Sequence, residues 1–217
     1  SPSHFTKFFF SYGDAHPDGR DGGTYGYGRS SLYLAGMART IFVDSLTTDE
    51  NGRTDRRFMG SRIGDKYGRV IDGVPRQFTG RHFWGNRQAD GAVSPVTGAE
   101  AAELAASLGL PTRRGQEKGT SILIPWPDTP DDGDGRVSGN RVAQILLHNF
   151  WPKMVSRGSV IPMEFNVEED GREIAVPDPQ GRPAYELCER ALKYARNPNL
   201  GVAKARTVGI DRKVTGH

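Results

Sequence analysis

The sequence predicts an α+β fold, a two-layer sandwich in which a mostly antiparallel sheet carries helices on one face. Three observations predict it. Short runs of β-branched and aromatic residues, at 39–46 and 56–63, are joined by tight-turn residues and not by helices, which favours hairpins. Three other stretches, 98–108, 141–155 and 183–196, place apolar residues at helical spacing. No parallel alternation of strand and helix runs through the chain.

The 217 residues allow one large domain or two small ones. A hydrophobic content of 35%, with 28 glycines and 14 prolines, implies a modest core and long connections. The net charge of +3 and pI near 9.1 are mildly basic and do not by themselves imply nucleic acid. Cys188 is the single cysteine, so no intramolecular disulfide forms and a reducing, cytoplasmic compartment is expected. No run approaches the roughly 18–20 apolar residues of a membrane helix, and no membrane partner is expected. Phe8-Phe9-Phe10 is too short for a signal peptide. The opening Ser1-Pro2-Ser3 lacks an initiator methionine, which fits a processed chain or one cut from a longer polypeptide.

Taken in order, residues 1–31 are a polar, glycine-rich lead with an aromatic knot at 5–10 and turns at Pro17-Asp18-Gly19 and Asp21-Gly22-Gly23. Residues 32–38 read as a helix that Ser30 or Ser31 can cap. Strand 39–46 leads to Asn51-Gly52, which suits a type I′ hairpin turn, and returns as 56–63. Turns at Tyr67-Gly68 and Asp72-Gly73 suggest a meander. Helix 98–108 stops at Gly109 and Pro111; Gly119-Thr120 then opens a short buried strand ended by Pro125. Beyond an acidic linker come helix 141–155, a hairpin of 159–167 and 172–176, and helix 183–196. The domain layout expected is 1–127 as the nucleotide-facing part, 128–139 as linker, and 140–217 as a helix-hairpin-helix extension.

The chemistry gathers in Gly22-Gly23-Thr24-Tyr25-Gly26-Tyr27-Gly28-Arg29-Ser30-Ser31. Glycines that permit close backbone approach, followed by a helix start, point unpaired N–H groups at one spot and suit phosphate. Residues 23–30 fit the P-loop spacing with arginine in place of lysine. A P-loop follows a buried strand directly, however, and the nearest apolar run here ends at Phe10.

A second match fits better. The run Gly26-Tyr27-Gly28-Arg29-Ser30-Ser31-Leu32, a helix, a hairpin, and later Gly119-Thr120 resemble the ATP-binding superfamily of gyrase, ninety-kilodalton heat-shock chaperones, histidine kinases and MutL (GHKL). With 40–44, Thr79-Gly80-Arg81-His82-Phe83-Trp84-Gly85 and Gly119-Thr120-Ser121-Ile122, the chain is more narrowly similar to bacterial histidine-kinase-like ATP-binding proteins of this group, over residues 20–155. The resemblance implies a partial Bergerat-like fold. It implies a glycine-rich ATP lid in which Gly23, Gly26, Tyr27, Gly28, Arg29, Ser30 and Ser31 meet the triphosphate, with Thr120 near adenine. The family's catalytic acid, its magnesium-binding asparagine and its Asp-x-Gly-x-Gly box precede the lid, and the two dozen residues before the lid in this sequence supply none of those motifs. The resemblance thus implies ATP and Mg as cofactors, with the metal ligand and catalytic acid expected outside this chain, and residues 48–114 as an inserted hairpin and helix.

Other signals are weaker. Residues 81–84 read as an amphipathic strand in preference to a base-stacking patch. Asp131-Asp132-Gly133-Asp134-Gly135 lacks the closing glutamate of a calcium loop and reads as solvated linker. Five scattered histidines and one cysteine do not suggest zinc. The expected function is ATP binding coupled to lid closure as a conformational switch, with hydrolysis only where an upstream segment supplies the acid. Homodimerisation and attachment to a larger polypeptide stay open. The rival is a non-enzymatic module that binds nucleic acid or a protein through basic and aromatic patches.

Overall fold

The computed structural model describes residues 4–10, 28–49, 51–113, 117–128, 138–156 and 160–196. The expected turns at 17–19 and 21–23, the lid residues Gly23, Gly26 and Tyr27, the acidic run 131–135 and the basic tail from 197 lie outside them. The chain divides into two units, Ser1–Gly135 and Arg136–His217.

The first unit contains helices α1 (His4–Phe10) and α2 (Gly28–Leu34), then strands β1 (Thr40–Thr48), β2 (Thr54–Ile63), β3 (Tyr67–Ile71), β4 (Val74–Phe78) and β5 (Arg81–Trp84). Short strands β6 (Asn86–Arg87), β7 (Val93–Ser94) and β8 (Val96–Thr97), helix α3 (Gly98–Ser107) and strand β9 (Gly119–Leu123) complete it. The main sheet runs β5-β2-β1-β9, with β8 also on β2, and every pairing is antiparallel. Helices mixed with antiparallel sheet make this an α+β fold.

The registers sort the sheet residues into two faces. Ile41 and Val43 share one face with Met59, and Phe9 of α1 and Tyr33 of α2 pack there. Phe42 and Phe58 lie on the other face, where Val96 and Ala101 and Ala105 of α3 pack. Helices therefore cover both faces, whereas the sequence suggests one. The reason lies in β1 itself: TIFVDSL is buried at nearly every position, so neither face can be left to water. Wholly buried Ile41 and Met59 each contribute roughly 1.5–3 kcal/mol.

Local differences have local causes. The aromatic knot at 5–10 is a helix, with Phe9 as its buried residue. Helix α2 starts at Gly28 and ends at Leu34, short of the expected 38, because Gly36 turns aside to pair with Pro127. Ser30 and Ser31 thus sit inside the helix; the Ser31 hydroxyl donates back to the Gly28 carbonyl at 2.6 Å and is not a cap. The Asn51 region does not form a two-residue type I′ turn. The Asp49 carboxylate accepts from both Asn51 N–H and Arg53 N–H, and only Gly52 of the described loop residues takes a positive φ, 78°. Tyr67-Gly68 lies in a strand, while Asp72-Gly73 (φ 52° and 76°) is the two-residue hairpin turn expected.

The second unit holds α4 (Gly139–Met154), β10 (Val167–Glu169), β11 (Arg172–Ile174) and α5 (Pro183–Arg196). Glu169 reaches back from the hairpin so that its carboxylate accepts from Gly139 N–H at 3.2 Å, at the positive end of α4. The hairpin's first arm is far shorter than the expected 159–167: among the described residues it begins at Val167.

Candidate functional site

The lid sequence enters the described structure at Gly28. A Cβ there would meet nothing within 4 Å, so the start of α2 is open. The Arg29 guanidinium turns inward. It donates to the carbonyl of Phe8 and, at 3.4 Å, to that of Lys7, and it lies 5.8 Å from the centre of the Phe8 ring. Arg29 therefore fastens α1 to α2 through carbonyls in the last described turn of α1.

The exit of α2 is joined to the exit of β9. Met37 N–H donates to Trp126 O at 2.9 Å, and Asp128 N–H donates to Ala35 O at 2.8 Å. A Cβ on Gly36 would stand 2.8 Å from Ile124 Cγ2 and 2.9 Å from Pro125 O, so glycine is what permits the close approach. Trp126 is held at φ 53°, left-handed for a bulky residue, and the residue is 68% exposed. Such a backbone costs on the order of 1–3 kcal/mol. Further back on β9, Thr120 pairs with Ser45 of β1, and their hydroxyls are 3.0 Å apart. Both lie on the face that carries Val43 and Tyr33.

The opposite face holds a charged cluster that the sequence reading did not find. Asp44 is wholly buried. Its carboxylate accepts two bonds from Arg56, at 2.9 and 3.0 Å, and one from Arg113 Nη1 at 2.8 Å. Arg113 Nη2 also donates to Ser121 Oγ at 2.6 Å. A buried carboxylate held by two fork-shaped guanidiniums is fixed in place. The cluster ties the segment after α3 to the two central strands. An aspartate within the apolar run of β1 was the available signal.

Beside it an apolar cavity of about 640 Å³ opens between β5 and α3. Phe42 and Phe58 stack with centroids 6.2 Å apart, Trp84 tilts over Phe42 at 5.8 Å, and Leu104 and Leu108 form the far wall. Gly60 makes room for the Phe42 ring, which would stand 2.6 Å from a Cβ there. Arg87 and Glu100 also line the opening.

No protein-family model matches the chain, and no curated protein or solved structure matches it significantly.

The site thus rests on its own residues. The structure joins the residues that follow α2, at the end away from Gly28, to the residues that follow β9. It directs Arg29 to α1. Among the described residues no group of three or more His, Cys, Asp or Glu side chains could hold a metal ion, and no helix is long and apolar enough to cross a membrane.

Proposed function

We propose that this chain contributes the lid and central sheet of a GHKL-type ATP site and works as an ATP-dependent conformational switch. The observation that carries the reading is the junction of the α2 exit with the β9 exit. Residues 35 and 37, which follow α2, are hydrogen-bonded to residues 126 and 128, which follow the strand that Gly119-Thr120 opens, and Thr120 lies on the sheet face against which α2 packs. Strain at exposed Trp126 in the same junction supports a functional role there.

The residues fit a nucleotide in part. Gly28 is open, and the Ser45–Thr120 hydroxyl pair offers donors and acceptors to a base. The resemblance would add Gly23, Gly26, Tyr27, Ser30 and Ser31 as phosphate ligands. Arg29 would reach phosphate only by leaving the Lys7 and Phe8 carbonyls, so lid closure on ATP would loosen the tie between α1 and α2. That exchange is the switch. A bound Mg ion would screen the phosphate charge; no described residue is assigned to it, nor any catalytic acid.

The test is thermal unfolding of the polypeptide as its cell makes it. Ligand at about 100 times its dissociation constant stabilises the folded state by about 2.7 kcal/mol. For a chain of this size that raises Tm by roughly 5–10 °C. Mg-ATP is expected to give such a shift and Mg-AMP a much smaller one, and Thr120→Val should reduce it. An unchanged Tm at millimolar Mg-ATP would sink the reading.

A further inference from the structure

Between residues 62 and 82 the chain has five arginine or lysine side chains and two aspartates, an excess as large as the net charge of the whole chain. Much of it is displayed on the ribbon of β3 and β4, which is exposed along nearly its whole length. The register sets Tyr67 opposite Phe78 and Arg69 opposite Arg76, so all four side chains share one face. The Tyr67 and Phe78 rings stack at 5.0 Å and 14°. Tyr67 also lies parallel to His82 of β5, at 6.0 Å and 12°.

The strip continues onto the main sheet. His82 is paired with exposed Arg62 across β2, and Trp84, on the same face of β5, is 44% exposed. Rings and arginines therefore follow one another from Trp84 to the ribbon.

The opposed arginines are the decisive feature. Like charges directly opposite on a sheet destabilise it. Among the described residues, no side chain or backbone group pairs with the Arg69 or Arg76 guanidinium. The ribbon holds two facing cations, neither paired with a carboxylate among the described residues, beside a stack of flat rings.

We propose that this strip binds single-stranded nucleic acid, with Arg62, Arg69 and Arg76 on phosphates and Trp84 and the Tyr67–His82 stack against bases. Cations on the backbone and rings on unpaired bases are the two elements of such binding. A duplex keeps its bases stacked on each other and has no use for the rings. The proposal is independent of the nucleotide reading.

The test is fluorescence anisotropy of a labelled oligonucleotide of about 20 nucleotides, long enough to cover one site, titrated with the whole chain between about 50 and 200 mM salt. The chain is expected to bind it, more weakly as salt rises. The double variant Arg69→Gln/Arg76→Gln should weaken binding about tenfold or more and flatten the logarithmic salt slope by about 1.4, at ~0.7 per phosphate contact on a single strand. Trp84→Leu should weaken it about tenfold through one lost stack. Arg172→Gln, an exposed charge on β11 of the second unit, should leave binding unchanged. The double variant should melt no lower than the parent, since it removes a repulsion, and should keep any shift caused by Mg-ATP. The proposal is overturned if the parent chain does not bind the oligonucleotide or if Arg172→Gln weakens binding as much as the double variant. Equal or tighter binding to duplex, or to phosphatidylserine vesicles, overturns it as well.

Discussion

Asp44 has no exposed surface, and its carboxylate holds two arginines that are themselves nearly buried. Pairs of this kind add little over a well-packed apolar core, but removing one partner strands the others. Asp44→Asn leaves two guanidiniums facing a neutral amide. It should lower the unfolding free energy by about 3–5 kcal/mol, read from the midpoint and slope of a urea titration. A loss below about 1 kcal/mol would mean that the arginines re-pair or reach water. The sequence could show Asp44 as an anomaly in an apolar strand. It could not show the remedy, because Arg113 is 69 residues away and is brought near by the pairing of β1 with β9. Arg29 presents the reverse case. Its place after two glycines suits a phosphate ligand, yet in the fold its donors meet α1 carbonyls. Local sequence shows what a side chain can bind, and the packing around it decides what it does bind.

Elements with a strong local cause were legible. Helices 98–108 and 183–196 carry their own period, and the Asp72-Gly73 turn needs two positive φ angles that these residues tolerate. Where a distant strand competes, local reading fails. The α2 helix stops at Leu34 because residues 35–37 bond with 126–128. Gly36 is the hinge of that competition. Gly36→Ala puts a methyl against a backbone carbonyl that has little room to move, and should destabilise the first unit by about 1–3 kcal/mol in thermal or chemical unfolding. Gly28→Ala is the matched control, since its Cβ enters open space and alanine reduces the freedom of the unfolded chain. It should be neutral or stabilising by up to about 1 kcal/mol. Equal effects from the two variants would mean that the α2–β9 junction is looser than its hydrogen bonds imply.

At the scale of the molecule, the two units differ in what they bury. The first has two apolar clusters, one on each face of its sheet, with Ile41, Met59, Phe58 and Ala101 among the deepest residues. The second buries Ala143, Leu147, Val155, Val167 and Pro179 among its described apolar side chains, and its α5 leaves Leu187 and Tyr194 exposed. Opening free energy follows buried apolar area, and small cores open first. Amide exchange should therefore separate the units. In β1, paired on both edges, amides should exchange only with global unfolding of the first unit. In α4 and α5 they should exchange by a lower-energy opening, about tenfold faster for each ~1.4 kcal/mol of difference. Low urea should speed exchange in β1 with the steep slope of full unfolding of the first unit, and in α4 and α5 with a shallower slope, because m follows the surface an opening exposes. Coincident exchange across β1, α4 and α5 at every urea concentration would show one cooperative unit instead, and the shallow core of residues 139–196 would then need support from outside its own side chains.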